Sequence, residues 1–366
     1  MKRKKKTLRT GFTTGSAAAA AAKAALLHLA GKDHLKSVEI PLPDKGRLSI
    51  PVKMVRQKGD MVKAVVIKDA GDDPDVTHRA EIWAIIQFDP KGKDGDVKIM
   101  GGKGVGRVIR PGLPIAVGEP AINPTPRAQI EESVCEALYE TGLRGAVTVE
   151  ICVPKGEELA QKTLNPRLGI MGGISILGTR GTVIPFSHEA YKETITLGLD
   201  VARASGLEHV VFSTGGRSEK FARKILEEIP EVAFIQVADF FAFSLGEASK
   251  KGFSQISVAC FFGKLVKMAQ GHPYTHAHAS SIDFQRLARW CSEKGITEDS
   301  AKKIKRANTA REALEIIMQE PNAEVAIRAI IEKALEVAKG LVGPQTKVSY
   351  YLFSMDGELI AEAGAR

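Results

Sequence analysis

From residue 188 to residue 260 the chain alternates helical-period segments with short, apolar, β-branched runs: helix 188–204, strand 209–213, helix 217–228, strand 233–237, helix 240–250, strand 255–260. A strand that returns parallel to its predecessor needs a crossover long enough to hold a helix, so this alternation restricts the segment to a parallel α/β sheet. Further helices are predicted over 298–306, 310–319 and 324–341. The chain then closes on strands 348–354 and 359–363, with Asp356-Gly357 suited to a tight hairpin turn. Before Pro185 the rhythm differs. Ser16 is the expected N-cap of an alanine-rich helix that runs to about Ala30 and stops at Gly31, and alanine on most faces implies close backbone packing. Strands follow at 38–40, 48–55, 61–67, 81–88 and 97–100, then helix 127–140 and strand 147–153. With 366 residues to divide, the expected fold is a two-domain α+β and α/β chain. Residues 1–182 form a mixed α+β domain, and residues 183–366 a Rossmann-like α/β domain with extra C-terminal helices and a hairpin.

Five of the nine net positive charges sit in Lys2, Arg3, Lys4, Lys5 and Lys6, ahead of any pattern, which leaves the body at +4. With aromatics at 6% there is no basic, aromatic-interleaved stripe of the kind that binds nucleic acid, and the charge favours a small anionic ligand. Cys135, Cys152, Cys260 and Cys291 form no C-x-x-C pair, so neither a zinc ribbon nor a disulfide framework is signalled. Gly11 to Gly15 separates the basic start from the apolar stretch 17–30, and Lys23 and His28 interrupt that stretch. A signal peptide is therefore not expected, no run approaches the roughly 18 apolar residues of a membrane span, and the expected compartment is a reducing cytoplasm.

Four segments combine glycine with small polar residues. Thr10 to Ser16 offers four hydroxyls and two glycines at a helix N-terminus, where the dipole favours an anion. Thr13, Thr14 and Ser16 are accordingly expected to grip a carboxylate, with plain capping as the alternative. Asp69 to His78 holds four carboxylates and an imidazole. It could bind a divalent cation, accept hydrogen bonds from a ligand through Asp72 and Asp73, or be a solvated turn, and it lacks EF-hand spacing. Gly101 to Arg107, leading to Asn123, is neither a G-x-G-x-x-G fingerprint nor a phosphate loop, though Gly104 could let a ligand approach the backbone. Asn165 to Gly181 carries five glycines with Ser175 and Thr179 among them, a composition better suited to binding or hinging than to core packing.

In the α/β half, strand 209–213 runs into Thr214-Gly215-Gly216 and a helix. Asp239 follows 24 residues after Gly215, about where such sheets hold a ribose hydroxyl. His272, His276 and His278 have no acid or cysteine at metal-ligand spacing, so no metal site is expected there, and no G-x-S-x-G nucleophile is present.

On these blocks, joined by Gly118 to Pro124 and by Gly263 to Lys267 with Thr275-His276, the chain resembles the cobalt-precorrin-5B C1-methyltransferase (CbiD) family of anaerobic cobalamin synthesis. It departs from the family's usual residues at Ala17, Arg79, Arg180, Asp239 and Ala277. The resemblance implies transfer of a methyl group from S-adenosylmethionine to a ring carbon of an anionic tetrapyrrole, with cobalt arriving inside the substrate. A sulfonium methyl is already activated, so alignment and exclusion of water suffice and no nucleophilic side chain is needed. Together these readings assign the tetrapyrrole to Thr13, Thr14, Ser16, Asp72, Asp73, Gly104, Asn123, Ser175, Thr179 and His276. The methyl donor falls to Thr214, Gly215, Gly216 and Asp239. A tetrapyrrole carrier without turnover is the alternative, a nicotinamide-dependent oxidoreductase the third reading, and a homo-oligomer is compatible with all three.

Overall fold

The computed structural model describes residues 8–365, so the basic run from Lys2 to Lys6 lies outside the described residues. The chain divides into two compact units, 1–187 and 188–366. The expected boundary at 182/183 cuts the short strand Thr182–Val183, which pairs antiparallel with Gly11–Phe12 and so belongs to the first unit.

In the first unit helix α1 (Thr14–Leu29) is buried from Thr14 to Leu27. Six consecutive alanines leave room for helix α2 (Pro124–Thr141) on one side and for the sheet on the other. The cap is Thr13, whose Oγ1 accepts from the Ser16 amide at 3.2 Å, and not Ser16 as expected; the helix opens three residues earlier because Thr13 already has the extended backbone of a cap. The sheet runs β1 (Met54–Lys58), β2 (Met61–Ile67), β3 (Glu81–Asp89), β5 (Ala146–Cys152), β4 (Val97–Gly101), antiparallel except for the β5/β4 pair. Val62, Ala64 and Val66, Ile82, Ala84 and Ile86, and Val147, Val149 and Ile151 alternate into the core that α1 shares. Lys23, 3% exposed in the middle of α1, pairs with Glu136 and Glu140 on α2.

In the second unit five strands lie in the order β7 (Phe234–Gln236), β6 (His209–Ser213), β8 (Gln255–Phe261), β9 (Lys347–Phe353), β10 (Leu359–Gly364). The first four are parallel, and β10 returns antiparallel after Gly357, whose φ is +100°. Numbered within the sheet the order is 2-1-3-4-5, which differs from the 3-2-1-4-5-6 of dinucleotide-binding sheets. The unit is thus the expected mixed α/β fold, in the other common doubly wound order. Helix α4 (Gly216–Ile225) packs on the face carrying Val211, Phe234, Ala259, Tyr351 and Phe353. Helices α3 (His188–Ala204), α5 (Phe241–Lys250) and α6 (Phe262–Ala269) take the other face, with α7 (Phe284–Ser292), α8 (Glu298–Arg306), α9 (Ala310–Met318) and α10 (Ala323–Lys339). From β6 the chain steps outward to β7 and then back across β6 to β8. Connections leave in opposite directions there, which makes the carboxyl ends of β6 and β8 the switch point beside which such sheets bind ligands.

Candidate functional site

The glycine segments of the first unit do converge, but on one another. Gly104–Val105 pairs parallel with Gly173–Ile174, Arg107–Val108 pairs antiparallel with Ile170–Met171, and Ile122 bridges to Ile176. The Thr14 hydroxyl donates to the Leu177 carbonyl at 3.1 Å and accepts from the Leu177 amide at 2.9 Å. Ser16 donates to the Gly181 carbonyl at 2.7 Å and accepts from Gln129 Nε2 at 3.1 Å, while Ser175 donates to Asn165 Oδ1 at 3.3 Å. Gly104 is enclosed by backbone from Val153, Gly156 and Gly173.

In the fold these residues serve one another. Thr13, Thr14, Ser16 and Ser175 are buried with their hydroxyls bonded inside the protein, and Gly104 admits another strand where a ligand was expected. Asn123 and Thr179 differ. The Asn123 amide is half-buried at the start of α2 without a side-chain cap bond, Thr179 is exposed, and neither side chain has a hydrogen bond among the described residues. Arg180 is exposed beside Thr179. Thr14→Val is expected to cost about 1–2 kcal/mol, because it removes both the bond to the part-buried Leu177 amide and the donor to the Leu177 carbonyl, and to leave tetrapyrrole affinity unchanged. A normal melting temperature with weakened tetrapyrrole binding would return Thr14 to the ligand.

The acidic turn is likewise spent on the fold. Asp69 forks with the Arg9 guanidinium, which holds its carboxyl down at about 2. Asp72 accepts from the Arg9 amide at 2.7 Å, and Asp73 accepts from the Phe186 amide at 2.9 Å. Asp75 pairs with Lys68, itself 1% exposed, and His78 Nδ1 accepts from the Ala70 amide at 3.1 Å. Asp72 and Asp73 thus fasten the chain on either side of the glycine segments. Among the described residues no three His, Cys, Asp or Glu side chains gather as a metal ion requires.

At the carboxyl end of the second sheet the arrangement is more open. A Cβ on Gly215 would meet nothing within 4 Å, and one on Gly216 would meet only Gln236 Nε2, at 3.8 Å. Helix α4 starts there without a side-chain cap bond, and the fully buried Ser213 hydroxyl behind it has no hydrogen-bond partner among the described residues. Asp239 ends the β7 loop directly after Ala238, held in the left-handed region at φ +47°. Its Oδ1 accepts from Lys264 Nζ and, at 3.0 Å, from the Thr275 hydroxyl, while its carbonyl accepts from the Thr275 amide at 3.1 Å. Lys267 Nζ donates to the Thr275 carbonyl at 3.0 Å. Burial, with Lys267 adding repulsion, pulls Lys264 down to about 8, and the Asp239 carboxylate in contact with it favours the charged amine.

His276 stacks on Tyr274 with centroids 5.9 Å apart. Its Nδ1 accepts from the His278 amide at 3.3 Å, which leaves the ring proton on Nε2 as a donor. Sequence reasoning assigned Asp239 and His276 but not Lys264, Lys267 or Thr275. The available signal was the block from Gly263 to Lys267, directly behind strand β8 and hence at the same end of the sheet as Asp239.

The family model described as CbiD matches residues 1–185, and the one described as CbiD, C-terminal domain, matches residues 274–364. The chain belongs to the CbiD family. Among its relatives, the cobalt-precorrin-5B C(1)-methyltransferase of Nitratidesulfovibrio vulgaris is 47% identical over 97% of this chain and 93% of its own length. The protein of that name from Geobacillus kaustophilus is 43% identical over 98% of this chain and 95% of its own length. A crystal structure of a cobalamin biosynthesis protein (cbiD) from Archaeoglobus fulgidus covers 71% of this chain and 79% of that one, at 28% identity and a TM-score of 0.39. The CbiD model with the longer match spans the glycine segments and the acidic turn, and the C-terminal one opens at Tyr274, beside the Thr275 that holds Asp239.

Proposed function

We propose that this CbiD-family chain transfers the methyl group of S-adenosylmethionine to C-1 of cobalt-precorrin-5B, a step of anaerobic corrin synthesis. The observation that carries this reading is identity of 43–47% along nearly the whole chain with proteins bearing the name of that activity. The donor is assigned to the switch point of the second unit. The open backbone at Gly215 and Gly216 accepts a close approach, the N-terminus of α4 suits the donor's carboxylate, and Asp239 Oδ2 takes a ribose hydroxyl. For the acetate and propionate arms of the macrocycle, Asn123, Thr179 and Arg180 of the first unit offer side chains without a hydrogen bond among the described residues.

The chemistry asks little else of the side chains. Carbon attack on a sulfonium methyl expels a neutral thioether, so the protein's work is to align donor and ring carbon and to keep water away. The buried thiols Cys260 and Cys291, pushed up to about 12 by burial, stay protonated and take no part. Cobalt enters within the substrate. The proposed compartment is a reducing cytoplasm. All four cysteines are free, and among the described residues no helix is long and apolar enough to cross a membrane.

Anaerobic incubation with cobalt-precorrin-5B and isotopically labelled S-adenosylmethionine is expected to add one labelled methyl to the macrocycle, read by mass spectrometry. Tight macrocycle binding with no donor binding and no mass gain would instead establish a carrier.

A further inference from the structure

We propose that Lys264 is a positioning residue for the methyl donor, acting through Asp239: it holds the carboxylate by Oδ1 so that Oδ2 is presented to a ribose hydroxyl. The inference rests on the donor site just proposed.

Asp239 sits on a loop that does not hold its own shape. Ala238 before it occupies φ +47°, a conformation that a residue with a Cβ keeps only when surrounding contacts impose it. Those contacts come from helix α6 and from the segment after it. Lys264 and the Thr275 hydroxyl both donate to the same oxygen, Oδ1, the Thr275 amide fixes the Asp239 carbonyl, and Lys264 also donates to the Thr275 hydroxyl at 3.3 Å. Oδ2 has no partner among the described residues, and the side chain keeps 16% of its surface exposed. A carboxylate with one oxygen anchored and one left over has a single orientation in which to receive a hydroxyl, whereas an unanchored one must lose rotamer freedom on binding.

Lys264 suits this task because it bonds inward, to Asp239 and Thr275. A cation meant for the substrate's own carboxylates would leave its hydrogens to solvent. Lys267 contributes by holding the Thr275 carbonyl from the next turn of the same helix.

The test is a double-mutant cycle on S-adenosylhomocysteine affinity, measured by calorimetry at neutral pH with melting temperatures taken in parallel. Asp239→Asn is expected to weaken binding tenfold or more and Lys264→Met about three- to tenfold. In the Asp239→Asn background, Lys264→Met should weaken binding no further, because its effect passes through the carboxylate. Lys264→Arg, which keeps the charge, should recover most of the loss. If Lys264→Met does not fold, Thr275→Val replaces it in the cycle, since it removes the other donor to Oδ1. Additive losses, or an unchanged affinity in Lys264→Met while Asp239→Asn is weakened, overturn the positioning role and leave the donor site standing. An unchanged affinity in Asp239→Asn removes the donor site itself.

Discussion

Gly104→Ala is expected to destabilise the first unit by about 2–5 kcal/mol. Two penalties act together. Gly104 has φ +73°, and a Cβ there would stand 1.9 Å from the Val153 carbonyl oxygen, a backbone atom that cannot swing aside. The crowding is mutual: a Cβ on Gly156 or on Gly173 would strike the Gly104 carbonyl at 1.9 and 2.2 Å. Gly118→Ala separates the two terms. That residue also has positive φ, at +92°, but open space around it, so its cost should be only the roughly 1–2 kcal/mol of the left-handed backbone. Calorimetry on both variants decides the matter. If Gly104→Ala melts like Gly118→Ala yet no longer binds the macrocycle, the glycine serves the ligand and not the packing of the three segments.

The same contrast explains how much of the molecule was legible in the sequence. Local signals were read well. Helix His188–Ala204 and strand His209–Ser213 were predicted with their observed ends, because hydrophobic period and turn residues are set within a few positions. Helices α6 and α7 were missed: each is only eight or nine residues long, and Lys264 and Lys267 or Arg286 and Arg289 interrupt an already short apolar pattern.

Partners distant in sequence were not legible at all. Thr14 finds Leu177 163 positions away and Ser16 finds Gly181 165 away, and no local rule says that a hydroxyl at a helix start will be spent on a loop from the far end of the domain. Sequence could show that residues 10–16, 69–78, 101–123 and 165–181 were unusual. It could not distinguish segments shaped to receive a ligand from segments shaped to receive one another, since both call for glycine and small polar side chains. Asp239 shows the converse case. Its distance from the glycine turn marked it, while the lysine that holds it lies 25 residues further on, in a helix the pattern did not reveal.

Lys68→Met is expected to cost about 3–5 kcal/mol, the loss that follows when one partner of a buried ion pair is removed. Lys68 is 1% exposed, and its ammonium meets Asp75. Burial pushes the Asp75 carboxyl up, but Lys68 and the two bonds from Thr77, each 2.7 Å, outweigh it and hold the carboxyl below its usual range. Without Lys68 only the two Thr77 bonds remain to offset the burial of the Asp75 carboxylate.

Removing the charge from both partners should restore most of the stability. In Lys68→Met/Asp75→Asn no charge is buried, and the Asn carbonyl oxygen can still accept from Thr77, so the double variant is expected to be more stable than Lys68→Met alone. This order of stabilities tests the acidic turn as a structural clamp, because the turn also holds Arg9 through Asp69 and Asp72, and Phe186 through Asp73. A turn whose carboxylates repelled the anionic macrocycle, with Lys68 there to mask one of them, would behave differently. Lys68→Met would then melt normally and weaken macrocycle binding by unmasking that charge, and Asp75→Asn would tighten it. Thermal melts paired with macrocycle titrations separate the two, and a normal melting temperature for Lys68→Met would by itself end the clamp reading.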